Sequence, residues 1–412
     1  MTADPVILIA GTYDTKSDEL AFLADRIAAA GGRPLRMDVS VLGDPMVPVD
    51  IDKHAVAAAG GASIAAAAAA GDENLAMQIM ARGAVALTAG LHAEGRIHGL
   101  IALGGTMGTD LALDMARALP LGVPKYIVST VSFSPLIPPG RLAPDVQMIL
   151  WAGGLYGLNA ICRAALAQAA GAVTGAARAA MPPAPGRPVI GMTSLGASCL
   201  TYMKRLKAPL EARGFEVAVF HTTGMGGMAF EALARGGAFA CVMDFSLQEL
   251  SNELAGSIVT AGPGRLTGAG AAGVPQIVAP GAIDMVDFAA HQPVPPALAG
   301  RPFHTHNRLI ASAMTTPDER RACARVIADR LAAARGPVHL ILPAGGIEGW
   351  DRPGEPMHDP AGLAAFTAAL RDAVRPPVAL TDLDAHINDE AFAEAALAVL
   401  DGWMAAGVVR AA

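Results

Sequence analysis

Val6-Ile-Leu-Ile-Ala-Gly11-Thr-Tyr-Asp14-Thr15-Lys16-Ser-Asp-Glu19-Leu20 decides the fold. A short apolar run halts at a glycine, polar residues follow, and then Leu20, Leu23, Ala24 and Ile27 mark one helical face. The pattern predicts strand, tight loop, helix. A helix begun this way aims unpaired N–H groups and a partial positive charge beyond the strand end. Thr12, Thr15 and Lys16 add two hydroxyls and a cation there, which suits a phosphate. The alternative is an ordinary turn in which Asp14 or Thr15 only caps the helix. Gly11-x-x-Asp14-x-Lys16 is neither a P-loop nor a dinucleotide fingerprint, so what favours a ligand is that the chain repeats the device.

The second occurrence is Gly99-Leu-Ile-Ala-Leu103, running into Gly104-Gly105-Thr106-Met107-Gly108-Thr109 before a helix expected over 111–119. Asp38 ends the second strand, the place from which dinucleotide-binding folds reach a ribose. Strands are also expected near Lys125–Ser129 and, beyond the proline-rich stretch Pro182–Pro188, at 189–192, 216–220, 239–243, 274–279 and 338–342. His221-Thr222-Thr223-Gly224-Met225-Gly226-Gly227 is the second half's counterpart of the Gly/Thr loops. Strands alternating with helices predict an α/β protein with two Rossmann-like lobes, 1–183 and 184–412. Each lobe should carry a mostly parallel sheet covered on both faces. Ligands of such sheets bind beyond the strand carboxyl ends, which predicts a site in a cleft between the lobes. The helix over 389–405 is expected to pack back on the first lobe.

At 412 residues the chain exceeds one ordinary core, and 53% hydrophobic residues with only 16% charged ones support large buried sheets. A net charge of −7 without a basic run argues against nucleic acid. Cys162, Cys199, Cys241 and Cys323 form no CxxC pair and read as buried, reduced thiols. The most lipid-like run, Ala55–Ala70, is broken by Gly60, Gly61 and Ser63. No leader pattern opens the chain, and the expectation is a soluble cytoplasmic protein with no membrane partner.

His304-Thr-His306-Asn307 with Asp284 and Asp287 upstream is too weak a pattern for zinc, and no metal ligand set is assigned. As catalytic candidates, His221 or His306 would move protons with Asp284 or Glu249 as partner. The nucleophile elbow, Walker A and H-E-x-x-H patterns are absent.

Six motifs in order carry a resemblance: Gly11–Glu19, Ala102–Thr109, Val123–Thr130, His221–Gly227, Gly281–Phe288 and Arg301–Asn307. Together they resemble the ATP-binding domain family of the tomato mosaic virus resistance protein, as a divergent bacterial-type member, over essentially the whole chain. The resemblance implies two Rossmann-like subdomains, ATP as cofactor with magnesium as a possible companion, and self-association into a homo-oligomer. With the loop and strand-end readings above, ligand contact is expected at Gly11, Thr12, Asp14, Thr15, Lys16, Asp38, Gly104, Gly105, Thr106, Gly108 and Thr109, and at Thr222, Thr223, Gly224, Gly226 and Gly227. The chain departs from the family at Met107, at Gly196-Ala197, across Asp244–Glu249 and at Asp287, which stands where Asn is usual. Two readings follow: an ATP-binding module, or an enzyme acting on a small phosphorylated or carboxylated metabolite.

Overall fold

The structure is a computed structural model describing residues 4–181, 183, 186–196, 198–355 and 357–411. Ala197 and, within the proline-rich stretch, Pro182, Ala184 and Pro185 lie outside the described residues. The chain divides into two compact units, Met1–Pro185 and Gly186–Ala412.

In the first unit, strands β1 (Val6–Gly11), β2 (Arg33–Asp38), β3 (Gly99–Gly104), β4 (Lys125–Ser129) and β5 (Gln147–Leu150) form one sheet in the order β2-β1-β3-β4-β5. Every pairing is parallel. The period-2 alternation of a strand explains the layering. Ile7, Ile9, Ile101 and Leu103 point to one face, where helices Ser17–Ala29 and Ala160–Ala179 pack. Leu8, Ala10, Leu100 and Ala102 point to the other, under helices Glu73–Ala93 and Thr106–Arg117.

Two apolar segments of this unit differ from the sequence reading. The Ala55–Ala70 run forms two short helices, Lys53–Ala59 and Ile64–Ala68, parted at Gly60 and Gly61. The helix long and apolar enough to cross a membrane, by length and composition, is Ala160–Ala179 instead. Its Cys162, Leu166, Ala169, Ala170 and Val173 belong to the unit's core, and about a third of its apolar window is buried.

The second unit repeats the architecture. Strands β6 (Val189–Ser194), β7 (Glu216–His221), β8 (Cys241–Asp244) and β9 (Gln276–Val278) are followed by β10 (Met285–Ala289), β11 (Phe303–Thr305) and β12 (Ile310–Met314). Strands β13 (Val338–Pro343) and β14 (Ala379–Leu383) complete the set. Six of them pair in parallel in the order β14-β13-β9-β8-β6-β7. Strands β10, β12 and β11 make a small antiparallel sheet that the sequence reading did not anticipate. Read outward from its first strand, the large sheet has the same 2-1-3-4-5 order as the first unit, with one strand more.

The helix Glu390–Ala405 packs within its own unit, contrary to expectation. Phe392, Ala393, Ala396 and Leu400 join the core beside helix Thr201–Ala212, and Asp401 pairs with Arg213 at 2.6 Å.

Candidate functional site

In a sheet of order 2-1-3-4-5 the chain turns opposite ways after the first and third strands, so a crevice opens above their carboxyl ends. In the first unit a cleft of about 500 Å³ lies there. Thr12, Asp14, Thr15 and Lys16 line it from the loop after β1. Gly104, Gly105, Thr106, Met107 and Gly108 line it from the end of β3. The helix after β3 starts at Thr106, five residues earlier than the sequence pattern predicts, so the Gly/Thr loop is itself a helix start. Its N-cap is Gly105, and no side chain caps the first-turn N–H groups. Helix Ser17–Ala29 likewise begins without a side-chain cap.

Lys16 Nζ donates to the Thr12 and Thr15 hydroxyls at 3.4 and 3.3 Å, and no carboxylate among the described residues pairs with it. Two uncapped helix starts and an ammonium therefore share one end of the cleft, which is favourable for an anion. The far walls are mainly apolar, with Val41, Leu42, Ala67, Ala76 and Met77, and also carry the carboxylates of Asp72 and Glu73. Asp14 reaches the loop after β2, accepting from Gly43 N at 3.2 Å, while its Oδ1 is buried with no partner.

Three sequence candidates do not reach this cleft. Asp38 is fully buried, and its Oδ1 accepts from Tyr13 N, Ser40 N and Ser40 Oγ, so it braces the loop after β1 instead of facing a ribose. Gly11 serves packing, because a Cβ there would sit 2.8 Å from the Leu20 side chain. Thr109 is buried and shares a 2.6 Å hydrogen bond with Ser129.

In the second unit, the end of β8 is occupied by a buried side chain of the chain itself. Arg265 is fully buried there. Its Nη1 and Nη2 donate to the two oxygens of Asp244 at 2.5 and 2.6 Å, and Nη1 also to Glu231 at 3.0 Å. Nη2 reaches Ser246 O at 2.8 Å and Nε reaches Glu249 at 2.8 Å, so all five guanidinium hydrogens have acceptors. Glu249 turns its other oxygen to the glycine loop, accepting from Gly224 N at 2.6 Å and Gly227 N at 3.2 Å. The N–H groups expected to hold a ligand anion hold this carboxylate. A Cβ on Gly227 would lie 1.7 Å from Glu249 Oε2, and one on Gly226 1.8 Å from His221 O, so bare backbone is required.

These contacts correct four assignments: Glu249 is a buried brace, not a proton carrier, and Gly224, Gly226 and Gly227 serve its seat. Thr222 is buried too, bonding Ser194 O at 3.2 Å and Ser246 Oγ at 2.7 Å. Three carboxylates face one guanidinium here, and burial pushes Glu249 up to about 7 and raises Glu231 as well.

His221, Thr223 and His306 meet around a cavity of about 60 Å³, lined also by Leu195, Gly196 and Ser198 after β6, Gln248 after β8, Asp287 and Trp350, so the counterpart of the first unit's cleft is smaller but not closed. His221 Nδ1 accepts from Gly196 N at 3.3 Å. His304 lies against Trp350 with ring centroids 4.3 Å apart, and His306 at 6.3 Å. Among the described residues no group of three His, Cys, Asp or Glu side chains is placed to hold a metal.

Asp284 does not line this cavity. It is buried with both carboxyl oxygens unpartnered, and burial pushes it up to about 7. Burial, and then the Asp284 carboxyl, push Glu348 up to about 9. Gln248 and Glu348 stand in strand-end runs visible in the sequence but carry no assigned role there, and Arg265 and Trp350 sit in turns with no motif; the partners of Arg265 come from other elements.

Family models match both units: the uncharacterised protein family (UPF0261) N-terminal domain over residues 5–182 and its C-terminal domain over 187–404. A UPF0261 protein of Brucella melitensis is 55% identical over 408 residues, covering 99% of this chain and 98% of the relative. One of Clostridium tetani is 36% identical over 390 residues, covering 94% and 96%. The ToMV resistance protein Tm-1(GCR237) of Solanum lycopersicum is 28% identical over 414 residues, covering 95% of this chain and 55% of that protein. The chain belongs to the UPF0261 family, with both of the family's domains present.

Proposed function

We propose that the chain is a nucleotide-binding protein whose first unit holds ATP in the cleft above β1 and β3. The observation that carries this is the convergence of the uncapped starts of helices Ser17–Ala29 and Thr106–Arg117 with the unpaired Lys16 ammonium. The triphosphate sits against those N–H groups, Lys16 and the Thr12, Thr15 and Thr106 hydroxyls. The base and sugar rest on the apolar walls around Leu42 and Met77. A volume of about 500 Å³ suits a nucleotide better than inorganic phosphate. The distant similarity to the tomato protein supports the same reading. Magnesium would ride mainly on the phosphates, with the unpartnered Asp14 Oδ1 as a protein oxygen for it.

Isothermal titration with ATP, ADP, adenosine and tripolyphosphate, each with and without magnesium, tests the proposal. ATP binds tightest and adenosine weakest. Lys16→Ala weakens ATP about tenfold, the size expected for one charge-assisted phosphate contact, and leaves adenosine unchanged. Equal affinity for ATP and adenosine, or an unaffected Lys16→Ala protein, overturns it. A response to a phosphorylated or carboxylated metabolite with none to nucleotides supports the enzyme reading.

A further inference from the structure

The second-unit cavity has an electrostatic imbalance. Asp287 is 1% exposed, and its three side-chain partners are all neutral: Ser312 Oγ at 2.6 Å, Asn252 Nδ2 at 3.0 Å and Gln248 Nε2. No ion pair involving Asp287 occurs among the described residues; His221 and His306 line the same cavity without bonding to it, and His306 is the basic side chain that acts on the carboxylate. Buried carboxylates are ordinarily matched by a cation, because neutral donors alone leave most of the desolvation cost standing.

A second observation points the same way. Gln248 is also 1% exposed, lines the cavity, and has an Oε1 with no partner among the described residues. Its orientation is fixed by the carboxylate, which only accepts, so Nε2 faces Asp287 and the free oxygen is the one left over. A carboxylate without an ion-pair partner and an orphan amide oxygen thus border the same small space. Trp350 forms part of the wall, and the remainder includes apolar Leu195, Met285 and Ile310.

We infer that this cavity is a binding site for a primary ammonium group on a short apolar stem. The ammonium donates to Asp287 and to Gln248 Oε1, and the Trp350 ring supplies a cation–π face. A metal ion is disfavoured by the apolar walls and by the lack of a three-ligand group among the described residues. About 60 Å³ holds on the order of four water-sized centres, which matches an ammonium with two carbons behind it. Water alone could satisfy Gln248 but would leave Asp287 with only His306, beyond ion-pair distance, to balance it. This site is independent of the nucleotide reading, since all its residues belong to the second unit.

The test uses the full-length protein and ethylammonium chloride as the probe, with sodium propionate, propanol and sodium chloride as controls. Thermal shift and tryptophan fluorescence are followed to about 50 mM, because a ligand this small binds in the millimolar range at best. Ethylammonium produces a saturable rise in melting temperature, and propionate and propanol do not. Gln248→Met weakens the response about tenfold, as expected on losing a hydrogen bond to a charged group. Asp287→Asn removes the response, and Trp350→Phe removes the fluorescence change while retaining the thermal shift. If Asp287→Asn fails to fold, Gln248→Met decides alone. No saturable ethylammonium response, an equal response to propanol, or an unchanged Gln248→Met protein overturns the inference.

Discussion

The two units share a strand order and a place where a ligand belongs, and they treat that place differently. Above β1 and β3 the first unit leaves helix starts uncapped, an ammonium unpaired and a cleft of about 500 Å³. In the second unit Arg265 occupies the end of β8, the glycine loop after β7 closes on Glu249, and the loops after β6 and β8 leave only about 60 Å³. A glycine-rich loop after a parallel strand presents N–H groups that need an acceptor; it does not dictate whether ligand or protein supplies it. The acceptor in the second unit is built in.

The most severe way to break this contrast is at Arg265. Arg265→Met leaves Asp244, Glu231 and Glu249 buried with no cation, and it should cost about 3–5 kcal/mol, enough to unfold the second unit. Urea unfolding checks this. Arg265→Lys should recover little, because an ammonium cannot serve five acceptors in that planar arrangement. Glu249→Ala is next. It strands the Gly224 and Gly227 N–H groups and the Arg265 Nε, for a loss of about 1–3 kcal/mol without effect on ligands of the first unit. A Glu249→Ala protein as stable as the wild type would mean the seat is wet and the loop is open to a ligand.

The Asp284–Glu348 pair supplies a pH test. Both groups are raised by burial, so the folded unit holds protons that the unfolded chain releases above the ordinary carboxylate range. Stability from this source is fully present at acid pH below that range and drains as pH rises towards about 9. Melting temperatures between pH 5.5 and 9.5 should fall, and Glu348→Gln should flatten the decline by about 5 °C. Parallel decline in both proteins would assign the loss to other groups.

Much of the fold was legible because its strands announce themselves. Val6–Ala10 and Gly99–Leu103 are uninterrupted apolar runs that stop at glycines, and both proved to be central strands. Gln147–Leu150 and the short β10–β12 sheet were not legible, since strands of three to five residues, whether half-exposed like Gln147–Leu150 or buried like Met285–Ala289, are too short to show periodicity. The loops that bear Thr12, Lys16 and Gly105 were readable; what fills such a loop was not. Glu249 approaches Gly224 from 25 positions away, and Arg265 lies in the unremarkable turn Gly264-Arg-Leu. Asp38 misled because its strand-end position fits a ribose reader, whereas its buried carboxylate serves backbone N–H groups.

The smallest change in stability is expected at Lys16. Lys16→Ala should move the unfolding free energy by no more than about 0.5 kcal/mol, because the side chain makes no ion pair among the described residues. A larger loss would make Lys16 a structural brace and leave the first cleft without its cation.

The central claim, that the first unit's glycine loops are open and the second unit's glycine loop is filled by Glu249, is tested most directly by hydrogen–deuterium exchange with and without saturating ATP and magnesium. The account predicts slowed exchange in Gly11–Lys16 and Gly104–Gly108. It predicts no change in His221–Gly227, whose Gly224 and Gly227 amides are already held by Glu249. ATP-dependent protection of Gly224–Gly227 with the first-unit loops unaffected would contradict it.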